Sequence, residues 1–148
     1  MPWTIISSNN VMQINKSKFK ITINQPDKTA NTYRIQFNNE IRTYLYNIYG
    51  VENVENSRLY YQSMIDTERK LIGIQFSSKE DKNYIPVKCN INKSKGGRTL
   101  FAYCTNMINT IIDQCGKIDT SKMKAIPVEK DKNDDNLLIF SFEPYIIK

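Results

Sequence analysis

The stretch FAYCTNMINTIIDQCG, residues Phe101–Gly116, sets Ile108, Ile111, Ile112 and Cys115 at helical spacing and stops at a glycine. An earlier stretch has the same form. In NNEIRTYLYNIYG (Asn38–Gly50), Ile41, Tyr44, Leu45 and Ile48 share one helical face, an asparagine stands at the N-cap, and Gly50 ends the helix. The two glycines are 116 − 50 = 66 residues apart.

Around each helix the period changes to two. FKITIN (Phe19–Asn24) alternates apolar Phe19, Ile21 and Ile23 with polar residues, which predicts a half-buried strand. SRLYYQSMID and KLIGIQFS read as two strands joined by a polar turn at Asp66–Arg69. YIPVKCNI alternates Ile85, Val87 and Cys89, and SKMKAIPVE and NLLIFSFE are strands around the charged loop KDKNDD.

The interval of 66 recurs between Phe19 and Ile85, Leu71 and Leu137, and Phe76 and Phe142. Few residues are identical at that offset, so what recurs is a β-α-β-β pattern, with a candidate repeat at 19–78 and 85–144. The pentapeptide INKSK also occurs twice, at Ile14–Lys18 and Ile91–Lys95, but 91 − 14 = 77 places it outside this register. Its second copy is expected in a strand-to-helix loop.

With WTII as a leading strand, the order is β-β-α-β-β-β-α-β-β. That order resembles the DNA-binding pseudobarrel of the B3 type, found in plant transcription factors and in recognition domains of some restriction endonucleases. The resemblance lies in element order alone and carries over no functional residue. It implies an open barrel of seven strands with two helices. Tandem single-strand binders of the Whirly type also have two sheet-plus-helix units, but there the helix follows four strands. The expected architecture is α+β: one domain over residues 1–148, a partly open, highly curved β-barrel of about seven strands with two helices.

The chain's 148 residues suffice to bury a core without staples. Three cysteines without a CxxC spacing suit a reducing compartment, and a cytoplasmic protein is expected. No apolar run reaches transmembrane length, so no membrane partner is expected. The absence of histidine excludes Ser-His-Asp and Cys-His catalysis. Cys89, Cys104 and Cys115 do not make a zinc site, and no phosphate-binding loop motif is present. Asp66, Glu68 and Lys70 loosely match a metal-dependent nuclease set, but they fall in a hairpin turn, where solvated side chains are expected. No enzyme activity and no cofactor are predicted.

The net charge of +6 points to an anionic partner. Lys16, Lys18 and Lys20 stand two residues apart and share a face if their strand extends that far back. From Lys82 to Arg98 there are five cations and no acid. Of these, Lys88 should face outward, Lys93 and Lys95 supply point charges, and Arg98 can fork onto a phosphate or a guanine edge. Asn9 and Asn10 are candidates to read adenine edges, and Tyr61 to stack on a base. These residues predict a non-enzymatic DNA-binding module, with duplex favoured over single-stranded DNA. The alternatives are a protein-interaction module, such as a phage inhibitor of a host protein, and a single-stranded nucleic-acid binder.

Overall fold

Among the described residues the chain forms nine strands: β1 (Lys20–Asn24), β2 (Arg34–Phe37), β3 (Leu59–Asp66), β4 (Leu71–Ser77), β5 (Ile85–Asn92), β6 (Gly97–Tyr103), β7 (Ile126–Pro127), β8 (Glu129–Lys130) and β9 (Leu137–Ser141). The same residues hold three α-helices: α1 (Asn39–Tyr49), α2 (Val51–Glu55) and α3 (Thr105–Cys115). These elements come from a computed structural model, which describes residues 18–26, 31–92 and 94–148. The leading WTII segment lies outside the described residues.

Every strand pairing is antiparallel, in the order β7-β1-β2-β6-β5-β3-β4-β9-β8. The two edges of that order, β7 and β8, are separated in sequence only by Val128. Ile126 and Pro127 pair with β1, while Glu129 and Lys130 pair with β9. Between them the Val128 N–H donates to the Phe19 carbonyl at 2.9 Å. One short segment therefore laces both edges together, and the sheet becomes a nearly closed barrel with few open strand edges.

Alternate residues point inward and are buried: Ile21 and Ile23 on β1, Ile72, Ile74 and Phe76 on β4, Leu138 and Phe140 on β9. Val128 is fully buried with them, and Tyr61 and Phe142 are the bulkiest of the fully buried side chains. Helix α1 begins where Asn38 Oδ1 accepts from the Ile41 N–H at 3.1 Å, and it buries Ile41 and Leu45. Helix α3 lacks a side-chain cap of its own but buries Met107, Ile108 and Ile111.

Against the expected two helices and about seven strands, the described residues alone hold three and nine. Residues Phe101–Tyr103 belong to strand β6, and α3 starts only at Thr105. The apolar residues of FAY fit either period. Neighbours on both sides, β2 and β5, decide for the strand. The short β2 escapes sequence reading because four residues give too little alternation to register. SKMKAIPVE is mostly not strand either: Thr120–Lys122 forms a 3₁₀ turn capped by Asp119, and only its end enters the sheet. The second INKSK is not a strand-to-helix loop. It closes the β5–β6 hairpin, where Asn92 Oδ1 accepts from the Ser94 and Lys95 amides at 3.1 and 3.2 Å.

Exchanging β1 with β5, β2 with β6, β3 with the β7–β8 segment and β4 with β9 leaves the order of neighbours round the barrel unchanged. Helices α1 and α3 correspond residue for residue, since 105 − 39 and 115 − 49 both give 66. Gly50 and Gly116 end them with φ of +91° and +101°, donating to the carbonyls of Tyr46 and Ile112. Buried Ile72, Ile74 and Phe76 match buried Leu138, Phe140 and Phe142 at the same interval. Between β2 and β6 the interval is 65, which superposes Ile35 on Leu100 and Phe37 on Ala102.

Candidate nucleic-acid interface

Charge is divided unevenly between the two halves of the barrel. The adjacent strands β1, β2, β6 and β5 carry Lys20, Arg34, Arg98 and Lys88 and no acidic residue. The opposite strands β3, β4, β9 and β8 carry Asp66, Glu129 and Lys130. The first half therefore presents the more positive potential.

Directly opposed residues of antiparallel strands project to the same face. On the outer face of the cationic half, Arg34 lies opposite Tyr103 and Lys88 opposite Phe101. Each cation leans diagonally onto the other ring. The Arg34 guanidinium carbon stands 4.8 Å from the Phe101 ring centre, and Lys88 Nζ 5.9 Å from that of Tyr103. The rings meet edge to face at 6.2 Å. Tyr103 nevertheless remains 45% exposed. Arg34 Nε is buried without a hydrogen-bond partner, and the guanidinium packs on the Phe101 ring.

Beside this cluster lies an open hollow of about 420 Å³ lined by Asn24, Arg34, Thr120, Ser121 and Lys124 among others. Lys124 Nζ donates to the Ile23 carbonyl (2.7 Å) and to Asn24 Oδ1 (2.9 Å), which pins the ammonium over the end of β1. The nearby Asp119 is occupied by its own turn: Oδ1 accepts from the Ser121 N–H at 3.1 Å, and Lys122 stands 3.9 Å from Oδ2.

The residues singled out in the sequence are scattered. Lys18, Lys20, Lys88 and Lys95 are exposed; Lys20 and Lys88 lie on the cationic half, and Lys95 is at the tip of the β5–β6 hairpin. Asn9, Asn10, Lys16 and Lys93 lie outside the described residues. Tyr61 cannot meet a base: it is 0% exposed, and its hydroxyl donates to the Tyr103 carbonyl. Burial pushes its phenol pKa well above the ordinary range. Of the Tyr60-Tyr61 pair, the half-exposed member is Tyr60. Arg34, Phe101 and Tyr103 were missed. The signal was the period-two spacing in GRTLFAY, hidden because the same letters continue into a helix.

Arg98 falls in phase with buried Leu100 and Ala102 and so points away from Lys88 and Phe101. Its Nε donates to Glu55 Oε2 at 3.0 Å, and the Tyr46 hydroxyl donates to the same oxygen at 2.7 Å. The Arg98 carbonyl accepts from Arg42 Nη1 at 2.6 Å. This network ties α1 and α2 to the start of β6. The Tyr46 and Arg98 hydrogen bonds hold the Glu55 carboxyl below its usual pKa, and burial with the Glu55 contact pushes Tyr46 up to about 12. A depressed carboxylate stabilises the fold above its unfolded pKa, about 4 for glutamate, and this contribution is lost as pH falls through the folded value. The gap in melting temperature between wild type and Glu55→Gln should therefore be widest near neutrality and close below about pH 4. Thermal unfolding monitored by circular dichroism across pH measures it.

Asp66 is consumed by the β3–β4 turn. Oδ1 accepts from the amides of Glu68 and Arg69, and Oδ2 lies 2.7 Å from Arg69 Nε. The Arg69 backbone and side-chain hydrogen bonds, in that order, hold its carboxyl below the usual range. Cys89, Cys104 and Cys115 are free thiols, with Cys104 buried and the other two half-buried. Among the described residues no group of side chains is placed to hold a metal ion, and no helix is long and apolar enough to cross a membrane. Compared with protein-family models, curated proteins and solved structures, the chain matches none.

Proposed function

We propose that this protein is a non-enzymatic DNA-binding module that receives phosphates on the cationic half of its barrel. The observation that carries this reading is the run of four neighbouring strands, β1-β2-β6-β5, with cations and no acid. Lys20, Arg34, Lys88 and Lys124 are the phosphate contacts we assign, with Lys18 and Lys95 at the margins. Arg98 anchors the helices instead. The repeated neighbour order supports an origin of the barrel in two copies of one unit, and the B3-type pseudobarrel remains the family resemblance we propose for it.

The protein-interaction reading has less support. Apart from Tyr103, the large exposed apolar side chains are Ile48 and Val51 by the α1–α2 junction, Met64 on β3, Ile91 on β5 and Ile147 near the end of the chain. Apart from the first two, they sit on separate elements, as single exposed apolar residues commonly do.

Fluorescence anisotropy with labelled oligonucleotides across a salt series tests the proposal. Four phosphate contacts give a slope of log affinity against log salt of about −3 for a single strand and about −3.6 for B-form duplex. The absence of binding to single-stranded DNA, single-stranded RNA and duplex DNA at low salt would overturn it.

A further inference from the structure

The pseudo-twofold pairing of the barrel provides an internal control on its outer surface. Where the fold alone sets a requirement, equivalent positions in the two halves should carry similar residues. At the intervals of 66 for β1/β5 and 65 for β2/β6, Lys88 corresponds to Thr22, Phe101 to Gln36, and Arg34 to Thr99. All three counterparts are uncharged, polar and non-aromatic. A strand of this barrel thus needs neither ring nor cation at these positions. Yet on one side of the pseudo-twofold axis Lys88, Phe101 and Tyr103 of the second unit and Arg34 of the first place two aromatic rings and two cations side by side on a solvent face.

We infer that the ligand of this face is a single-stranded nucleic acid whose bases stack on the Tyr103 ring and on the Arg34–Phe101 pair. The inference rests on the nucleic-acid reading above and narrows it. In a duplex the π-faces of the bases are occupied by their neighbours, and a protein meets only base edges and phosphates. The major groove is about 12 Å wide and admits a helix or a two-stranded ribbon. Four adjacent strands span about 14 Å between the outermost backbones alone, so this sheet face cannot enter it. An unpaired strand presents free π-faces, and aromatic rings and guanidinium planes bind them whatever the sequence.

The arrangement fits such a ligand in two further respects. Phe101 and Tyr103 are two residues apart on one strand, so successive bases meet successive outward positions. The hollow at Arg34, with Lys124 and Thr120, lies at the Asn24 end of the same face and offers an ammonium and a hydroxyl to the backbone phosphate that follows, the Ser121 hydroxyl being held by Asp119.

The test compares wild type with Phe101→Leu, Tyr103→Leu and the double variant, because leucine keeps apolar bulk on the strand while removing the π-face. Each is titrated against single-stranded DNA and RNA of one sequence, about 16 nucleotides long, and against the matched duplex. Wild type should prefer a single strand. Each substitution should weaken single-strand binding roughly tenfold, leave duplex binding unchanged and preserve the salt slope. Ultraviolet cross-linking to thymidine-rich DNA should attach the nucleotide to the tryptic peptide 99–117. The DNA and RNA arms show which sugar is preferred. Duplex bound as tightly as single strand, or leucine variants that bind single strands like wild type, would overturn the inference and leave the phosphate reading in place. No binding in any arm would overturn both.

Discussion

Val128→Asp should destabilise the protein by about 3–5 kcal/mol, the cost of an unpaired charge in a core. For a chain of this size, that lowers the melting temperature by roughly 10–15 °C. Val128 is the one residue between β7 and β8, and its side chain is fully buried where the two sheet edges meet. Its neighbours Pro127 and Glu129 face solvent. Glu129→Lys should accordingly leave the melting temperature within about 2 °C, since surface changes stay near half a kcal/mol. Val128→Ala should fall between, at about 2 kcal/mol, for lost methyl groups and a small cavity. The three variants together map the seam by thermal melts. If Val128→Asp proved as mild as Glu129→Lys, position 128 would be solvated and the barrel open there.

Replacing Lys20, Arg34, Lys88 and Lys124 together by glutamine should weaken single-strand binding at 0.1 M salt by on the order of 10²–10³-fold and flatten the salt slope. The estimate follows from counterion release, with a slope of about −0.7 per neutralised phosphate on a single strand. The essential control removes the same charge elsewhere. Lys79, Lys82, Lys117 and Lys132 are exposed residues off this face, and changing them to glutamine also takes the net charge from +6 to +2. If binding reflects the cationic face, the control retains most of its affinity. Equal loss in both quadruple variants would mean that net charge alone attracts the polyanion, and the assigned contacts would fall. Native melts of each variant separate loss of binding from loss of fold, which matters most for Arg34 because of its contact with Phe101.

Helices α1 and α3 and the β3–β4 hairpin were legible in the letters. Asn38 and Gly50 bracket α1 as read, the Asp66 turn joins β3 to β4, and the apolar alternation of KLIGIQFS gives the buried face of β4. In these places local sequence and tertiary environment ask for the same conformation. Failures came where they did not agree. FAY was read into the helix that follows it, because Phe101 and Ala102 satisfy either period until neighbouring strands choose. Tyr61 was expected to meet a base, but it lies on the inward face of β3, which the nearly closed barrel keeps from solvent.

The candidate site divides in the same way. The sequence showed that the chain is basic and that the span holding Lys88 and Arg98 lacks acids. It placed α1, α3 and most strands, and it contained the interval of 66. These are local or additive properties, set by side-chain chemistry and spacing along the chain. Only the tertiary structure decided that Arg34 stands opposite Tyr103, a partner 69 residues away, and that Arg98 turns inward to Glu55 while Lys88 turns out. Only it made Val128 the seam of the barrel. Strand neighbours are chosen by long-range pairing and by burial of the common core, and no local pattern specifies which strand will lie alongside.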